Sequence, residues 1–234
     1  MDHLLQVQDI HTFIGQFHIL QGVTVEVPRG SIVALLGRNG AGKTTTLKSI
    51  LGLAPPSRGR VIFDGQNVQG LRSFEIAALG IGFVPEHRAI FSDLSVAENL
   101  KIAERKKGDL ARKKELIFKL FPDLKRLIHL RGDHLSGGQQ QMLAIARALV
   151  PDNKLLLIDE PSEGLAPVLI EEMMAAIRQL SAESTVLLVE QNFIVASRLA
   201  ERYVIIEEGQ SVKSGEMADL VSDQETISRY LGAA

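Results

Sequence analysis

The sequence predicts an α/β fold with a parallel β-sheet at its centre, an antiparallel β-sheet near the N-terminus and an inserted helical segment. Three observations support this prediction. In the second half of the chain, short apolar runs alternate with helical stretches, as in sheets covered by helices on both faces. Near the N-terminus, two stretches alternate apolar and polar residues instead. Between residues 95 and 149 the signals for strands almost vanish.

The composition excludes several classes of protein. The chain has 234 residues, of which 45% are hydrophobic and 23% are charged, as in an ordinary globular protein. Its net charge of −2 gives no support for a nucleic-acid partner. No apolar run is long enough to cross a membrane, and the N-terminus lacks the pattern of a secretory signal. A membrane role would therefore require a partner.

Metal and redox chemistry based on cysteine is also excluded. The sequence contains no cysteine, so it can form neither disulfides nor thiolate metal sites, which fits a reducing cytoplasm. The six histidines are scattered and show no ligand spacing. We therefore expect no structural metal.

The N-terminal part is predicted to supply five strands and two helices. The strands are apolar or alternating runs bounded by Gly, Pro and Asp, at residues 5–13, 19–27, 31–36, 60–63 and 80–84. The first two belong to an antiparallel sheet. The helices are predicted at residues 45–51 and 74–79.

The middle of the chain is predicted to be helical. Ser95 followed by Glu98 is a capping box, which predicts a helix that runs to about residue 103. A second helix is expected over residues 110–121, where Pro122 ends it, and a third over residues 139–149.

The C-terminal part returns to alternating strands and helices. Strands are predicted at residues 154–159, 185–189 and 203–206, with helices at 168–180 and 193–199 between them. A hairpin turn at Gly209 and short helices after residue 218 complete the chain.

The most specific motif is a glycine-rich loop between the strand at 31–36 and the helix at 45–51. It fits the phosphate-binding pattern G-x-x-x-x-G-K-[ST]. Glycines let backbone N–H groups surround phosphate oxygens, and the helix N-terminus adds a positive dipole end. Lys43 is expected to reach the β- and γ-phosphates, and the Thr44 hydroxyl to bind Mg²⁺. The predicted phosphate-binding residues are Gly37, Arg38, Asn39, Gly40, Ala41, Gly42, Lys43, Thr44 and Thr45.

The apolar strand at 154–159 ends in two carboxylates, Asp159 and Glu160. The carboxyl end of a parallel strand is where ligands sit in such sheets. Asp159 is expected to hold Mg²⁺, directly or through water, and Glu160 to act as the general base for the water that attacks the γ-phosphate. A buried strand that merely ends in exposed acids is the alternative. The phosphate loop upstream favours the site.

A third motif precedes the helix at 139–149. A serine and two glycines at a helix N-terminus form an anion-binding nest, although they also suit an ordinary capped helix. The order of the three motifs along the chain favours the anion site. The motif consists of Leu135, Ser136, Gly137, Gly138 and Gln139.

With these motifs the whole chain resembles the nucleotide-binding subunits of ATP-binding-cassette (ABC) transporters, whose signature sequence is the third motif. The resemblance implies a P-loop NTPase of the ABC ATPase type, residues 1–234, with a RecA-like parallel-sheet core. Residues 1–87 and 151–234 are expected to form this core together with an antiparallel β subdomain. Residues 88–150 are expected to form the helical signature subdomain.

The resemblance also implies ATP and Mg²⁺ as ligands and a head-to-tail dimer. The signature of one subunit would face the γ-phosphate bound by the phosphate loop of another, either a paralogue or a second copy. Catalytic roles would fall to Lys43, Glu160 and Gln191, and Glu86 would join Thr44 and Asp159 near the metal. Membrane permease subunits would hold the protein at the cytoplasmic face of the inner membrane, and a solute-binding protein would act indirectly.

Several segments narrow the resemblance to the smaller ATP-binding subunit of branched-chain amino acid importers. A sister group that serves urea and short amides is similar at the same positions. The segments are Phe83–Glu86, Ile90–Phe91, Leu94–Leu100, Gln140–Leu149, Asp159–Pro167 and Val189–Asn192.

Three positions differ from the general cassette pattern. Glu86 stands where most cassettes have glutamine, and Gln191 stands where most have a histidine that contacts the γ-phosphate. Glutamine can donate a hydrogen bond to the phosphate but cannot carry a proton or a positive charge. The aromatic residue that stacks on adenine is expected just before Gly15, where this chain has Ile14. Phe13 or Ile14 is the expected adenine contact, and core packing is an equal alternative for Phe17.

Two other functional classes share these motifs. A soluble ABC ATPase without a transport role, such as a DNA-repair or ribosome-associated ATPase, usually carries two cassettes, coiled coils or basic stretches, none of which this sequence has. A nucleotide-sensing module without turnover would fit a degenerate site. The intact metal and base positions, Asp159 and Glu160, favour an ATPase that drives transport instead.

Overall fold

The computed structural model describes residues 2–181 and 184–232. Within this part of the chain the strands are β1 (His3–Ile14), β2 (Phe17–Pro28), β3 (Ile32–Leu36), β4 (Arg58–Phe63), β5 (Gln66–Asn67), β6 (Ile81–Val84), β7 (Leu155–Asp159), β8 (Thr185–Glu190), β9 (Arg202–Glu207) and β10 (Gln210–Glu216). The α-helices are α1 (Lys43–Ile50), α2 (Ser73–Ala78), α3 (Val96–Lys101), α4 (Asp109–Leu120), α5 (Pro122–Arg126), α6 (Gly137–Leu149), α7 (Pro167–Ser181), α8 (Phe193–Leu199), α9 (Met217–Ser222) and α10 (Gln224–Thr226). A short 3-10 helix, Gly132–His134, precedes α6, and a π-helical turn, Ile227–Leu231, follows α10.

The N-terminal sheet is antiparallel, as predicted, with strand order β2-β1-β4-β5. Its first two strands are longer than the sequence suggested, since each spans 12 residues. They form a long hairpin in which Ile14 pairs with Phe17 beside the turn. At the tip, Ile14, Phe17 and His18 extend the hairpin past the alternating pattern, because the exposed tip has no buried side to maintain that pattern. The remaining extra residues pair at the other end of the two strands, where His3 is opposite Pro28.

The second sheet has strand order β10-β9-β3-β8-β7-β6, and its five strands β9, β3, β8, β7 and β6 run parallel. Every residue of β3, β7 and β8 is buried, which explains their uninterrupted apolar runs. In register, Leu36 pairs with Glu190, and Asp159 pairs with Val189. The phosphate loop after β3, the acids after β7 and the segment after β8 therefore leave the sheet at the same edge.

The central sheet separates two hydrophobic clusters. Successive residues of β3 contribute to opposite clusters, because side chains alternate across a strand: Val33 and Leu35 pack with α1 and the antiparallel sheet. Ile32, Ala34 and Leu36 pack on the other side, with α6, α7, α8 and the helices that follow β6. The phosphate-loop helix is thus fixed between the two sheets.

The helical segment forms as predicted between β6 and β7. Ser95 accepts a hydrogen bond from the Glu98 backbone, so the predicted capping box is confirmed. The first helix ends at Lys101, two residues before the predicted end. Pro122 ends α4 and starts α5, because proline lacks the N–H that a helix interior needs but fits the first turn. The exact division at residues 87, 88, 150 and 151 stays a prediction.

Within residues 2–181 and 184–232, no helix combines the length and apolarity that crossing a bilayer demands.

Candidate active site

The phosphate loop forms a compact turn between β3 and α1. Gly42, the residue before the helix, has a φ of 110°, which is strained for residues with a side chain. A Cβ atom on Gly42 would also lie 2.8 Å from the Leu20 side chain of β2. No side chain caps α1, so its first N–H groups stay available for an anion.

Lys43 is the buried cation of the site, with only 4% of its surface exposed. Its Nζ donates to the backbone oxygens of Gly37 (3.0 Å) and Arg38 (3.2 Å). The same atom lies 3.0 Å from Glu160 Oε1, so the predicted phosphate ligand and the predicted base form an ion pair. A phosphate oxygen that binds Lys43 would compete with Glu160.

Thr44 and Asp159 come together across the sheet edge. The Thr44 hydroxyl donates to Asp159 Oδ1 at 3.2 Å, and Asp159 is 1% exposed. The pKa of Asp159 is raised to about 6, chiefly by burial and also by the negative charges of Glu160 and Glu86, while the Thr44 hydrogen bond and the Lys43 charge oppose the shift. A buried carboxylate beside two other acids is a site that favours a cation.

These oxygen atoms suit magnesium, which prefers carboxylate, hydroxyl and phosphate oxygens. Within residues 2–181 and 184–232, no group of three or more His, Cys, Asp or Glu side chains is arranged to hold a metal. A magnesium ion at Thr44 and Asp159 would thus take further ligands from phosphate and water.

Glu160 follows β7 in an unusual conformation. Its φ is 43°, in the left-handed region that non-glycine residues rarely adopt, and its backbone N–H donates to Val189 O at 2.9 Å. Such strain is frequent at active sites and persists only where neighbouring contacts enforce it. The hydrogen bond to the end of β8 is one of those contacts.

The two segments that follow β7 and β8 are joined by a buried carboxylate, Glu190. It accepts hydrogen bonds from the Ser162 backbone (3.1 Å), the Ser162 hydroxyl (2.9 Å) and the Asn192 backbone (3.3 Å). Gln191 lies between Glu190 and Asn192 in the sequence. It is exposed, as expected for a residue that contacts a ligand.

The predicted signature lies at the start of α6. Ser136 caps the helix and accepts from the Gln139 backbone at 3.3 Å, while Gln139 accepts from the Ser136 backbone at 2.9 Å. Leu135 is buried, and a Cβ atom on Gly138 would lie 2.3 Å from Leu169 of α7. The third-motif residues therefore form both a capped helix and a compact, partly exposed surface.

The residues near the predicted adenine site divide between two faces of the hairpin. Phe13 stacks on His18 of the neighbouring strand, with ring centroids 4.2 Å apart and planes at 5°. Thr12 is buried and bonds to Ser49 of α1, whereas Ile14 pairs with Phe17 at the exposed tip of the hairpin. Phe17 is 74% exposed, so the alternative of core packing for this residue is wrong.

Two residues in this region were not assigned roles from the sequence. Glu190 lies in the segment Val189–Asn192, which resembles the importer subunits. The contacts of its side chain form only because β7 and β8 are neighbours in the sheet. Arg88 follows Glu86, and its guanidinium fills the space beside Gly137 that a side chain there would need. Its Nη1 also lies 3.4 Å from Gln140 Oε1. No local pattern signals either contact.

Comparison with known proteins identifies the family of this chain. The family model described as ABC transporter matches residues 20–163. Over 232 residues the chain is 41% identical to the high-affinity branched-chain amino acid transport ATP-binding protein BraG of Pseudomonas aeruginosa, covering 98% of this chain and 100% of BraG. It is 32% identical over 242 residues to the lipopolysaccharide export system ATP-binding protein LptB of Acidithiobacillus ferridurans, with 99% and 98% of the two chains covered.

A solved structure agrees with the fold. The dimeric ATP-binding cassette MJ0796, in a post-hydrolysis state with ADP and Pi, superposes with a TM-score of 0.80 at 27% sequence identity. The match covers 91% of this chain and 98% of the cassette. This chain therefore belongs to the ABC transporter family and is an ATPase of that family.

Proposed function

We propose that this ATPase powers an importer of branched-chain amino acids. The observation that carries the ATPase part is the convergence of Lys43, Thr44, Asp159 and Glu160 at one sheet edge. The observation that favours this class of solute is the similarity to BraG along the entire chain, at higher identity than to LptB.

The residues divide the work of hydrolysis among them. Lys43 and the uncapped N–H groups of α1 bind the phosphates, and the Thr44 hydroxyl and Asp159 hold Mg²⁺. When bound, the ion neutralises phosphate charge. Glu160 orients the attacking water and takes its proton as general base. Gln191 donates a hydrogen bond to the γ-phosphate.

Among the acidic residues of this site, Glu86 is the one that stands where most cassettes have glutamine. Its negative charge raises the pKa of Asp159. Glu86 is therefore close enough to affect the electrostatic potential where the ion would bind. Two acids near one site are best tolerated when a cation lies between them. We therefore assign Glu86 to the surroundings of the metal, where it contributes one more negative charge than glutamine would.

The adenine contact is assigned to the hairpin tip. Ile14 and Phe17 are exposed and pair with each other at the tip, whereas the ring of Phe13 packs on His18. An apolar, exposed pair suits the flat surface of a base. Phe13 then supports the hairpin from behind, and Ile14 with Phe17 contacts the base.

The signature, in which Ser136 is exposed, is assigned to a nucleotide held by another subunit. Ser136 and Gly138 lie at the start of a helix whose N-terminal end attracts anions. In a head-to-tail dimer, with a second copy or a paralogue, each signature closes the opposite phosphate loop. Permease subunits then place the pair at the cytoplasmic face of the membrane, and a solute-binding protein delivers the solute from outside.

The test of the transported solute is uptake in the source cells. The gene is deleted, and uptake of radiolabelled leucine, isoleucine and valine is compared with uptake of urea and of an unrelated sugar. We expect branched-chain uptake to fall and to return with the wild-type gene but not with a Glu160→Gln gene. Unchanged amino acid uptake with a lipopolysaccharide export defect, or with lost urea uptake, would overturn the assignment.

A further inference from the structure

Glu190 is an acidic side chain that has no role in the mechanism proposed above. It is the last residue of β8 and is 1% exposed. Placing a carboxylate in such an environment is unfavourable, and burial accordingly raises the pKa of Glu190 to about 7. Leucine or valine fills the neighbouring positions of the strand without this difficulty. Because burial of this carboxylate is unfavourable, its presence at the end of β8 requires a structural or functional explanation.

The three donors that face Glu190 belong to two different loops. Ser162 supplies two of them, its backbone N–H and its hydroxyl, and lies two residues after Glu160. Asn192 supplies the third and directly follows Gln191. Each loop therefore carries one residue assigned to hydrolysis and one residue that binds Glu190.

Both loops need to be held, for separate reasons. Glu160 is in a left-handed conformation that neighbouring contacts must enforce. Asn192 caps α8 by accepting from the backbones of Ile194 (3.1 Å) and Val195 (3.3 Å), so its position sets where that helix begins. The Glu190 carboxylate binds both loops and so fixes the distance between them.

We propose that Glu190 is a positioning residue for ATP hydrolysis, which keeps Glu160 and Gln191 in one arrangement around the γ-phosphate. This inference rests on the proposed roles of those two residues. Glu190 itself does not touch the nucleotide. It acts through hydrogen bonds to Ser162 and Asn192, and so it affects the rate of hydrolysis more than the binding of ATP.

The chemistry of the side chain predicts a graded series of variants. Alanine at position 190 removes all three hydrogen bonds. A glutamine there keeps its oxygen for the Ser162 backbone and donates to the Ser162 hydroxyl, but it leaves the Asn192 backbone facing an N–H group. Ser162→Ala loses only the hydroxyl. We expect Glu190→Ala to be the most severe change.

The experiment measures ATP hydrolysis and ATP binding in the complex purified from membranes with its permease subunits. Glu190→Ala should lower kcat by about 10- to 100-fold, the effect of a misplaced catalytic group, while KM for ATP changes less than about threefold. Glu190→Gln and Ser162→Ala should lower kcat by about 2- to 10-fold, as expected for one lost hydrogen bond.

Thr185→Val is the matched control. Thr185 is buried at the other end of β8 and accepts a hydrogen bond from the Gly30 backbone at 2.9 Å. Its loss should lower the melting temperature and leave kcat unchanged. If Glu190→Ala does not fold, Glu190→Gln and Ser162→Ala decide the question.

Two results would overturn the inference. One is a wild-type kcat in Glu190→Gln and Ser162→Ala. The other is a loss of kcat in Thr185→Val that equals the loss in the Glu190 variants, which would indicate general destabilisation. Glu160→Gln in the same complex distinguishes failure of the proposed catalytic role of Glu160 from failure of the positioning role of Glu190. If it hydrolyses ATP normally, the assignment of Glu160 fails, and if it is inactive while the Glu190 variants are normal, only the positioning role fails.

Discussion

The two glycine-rich helix starts in this chain differ in how their backbone N–H groups are satisfied. At the start of α6, Ser136 and Gln139 bond to each other's backbone and close the end of the helix. At the start of α1, the preceding residue is Gly42 and no side chain caps the helix. A buried lysine and two acids surround α1, whereas an exposed serine stands at α6.

This difference teaches how the two sites are used. An uncapped start beside a buried cation binds an anion without help from another chain. A capped start must exchange its own side-chain contact for a phosphate oxygen, which requires a partner that holds the phosphate in place. A single chain should therefore bind nucleotide through α1, and α6 should matter only in the assembled complex.

The largest effect is expected from Glu160→Gln, which separates binding at α1 from turnover. Hydrolysis in the assembled complex should fall by about 10²- to 10⁴-fold because the general base is lost. Binding of ATP should persist, since Lys43 and the α1 backbone are unchanged. Phosphate release and equilibrium ATP binding measure the two quantities. Glu163→Gln, an exposed acid in the same loop, is the control, and normal turnover in Glu160→Gln would contradict the mechanism.

The second-largest effect is expected from removal of the lysine in the α1 site. Lys43→Ala should weaken ATP binding to the isolated chain by about 10- to 100-fold, the range for one lost charge-assisted hydrogen bond. Binding of a fluorescent ATP analogue provides the measurement. Lys48→Ala, an exposed lysine on the same helix, should bind normally. Equal losses in Lys43→Ala and Ser136→Ala would show that the two helix starts do not differ as described.

A smaller effect concerns the pH dependence of stability. An acid whose folded-state pKa is raised loses stability as pH increases, because ionisation is less favourable in the folded protein. For Asp159, with a pKa of about 6, this loss falls largely between pH 4 and pH 7. From pH 5 to pH 8, the unfolding free energy of the wild type should drop by about 1–2 kcal/mol relative to Asp159→Asn.

Urea unfolding in buffer with a chelator and without nucleotide measures this difference. Glu190 titrates in both proteins, so its contribution cancels in the comparison. A difference between Asp159→Asn and wild type that is the same at pH 5 and pH 8 would contradict the prediction.

The smallest effect compares the two capping boxes of the helical segment. Ser95→Ala and Ser136→Ala should each lower the unfolding free energy by about 1 kcal/mol, because each removes an N-cap. Only Ser136→Ala should also lower hydrolysis in the complex, by about 3- to 10-fold, since only this serine faces a nucleotide. Equal hydrolysis in both variants would reduce the signature serine to an ordinary cap.

The sequence predicted the central features of the fold because they are local. Apolar runs gave the buried strands, and the pair Ser95 and Glu98 gave a helix start that the structure confirms. The phosphate loop was recognisable because its glycines, its lysine and its flanking elements lie within one short stretch. The ends of β1 and β2 were less predictable, since an exposed hairpin tip has no buried face to impose a pattern.

The parts of the site that were missed depend on strand order. Glu190 and Ser162 are 28 residues apart and meet only because β7 and β8 are neighbours in the sheet. Arg88 meets Gly137, 49 residues later, because the loop after β6 packs against the start of α6. Sequence spacing contains no information on such contacts. The exposure of Phe17 was also unpredictable, because an aromatic residue in an alternating strand suits either a core or a ligand surface.

The ion pair between Lys43 and Glu160 sets an order of events. While Lys43 holds the carboxylate, the Glu160 oxygen is directed at the lysine and not at a water molecule. A triphosphate that takes over the lysine releases Glu160 at the moment when a γ-phosphate has arrived. On the roles proposed for Lys43 and Glu160, binding of ATP would thus release the base for hydrolysis, and a subunit without ATP would keep its base paired with the lysine.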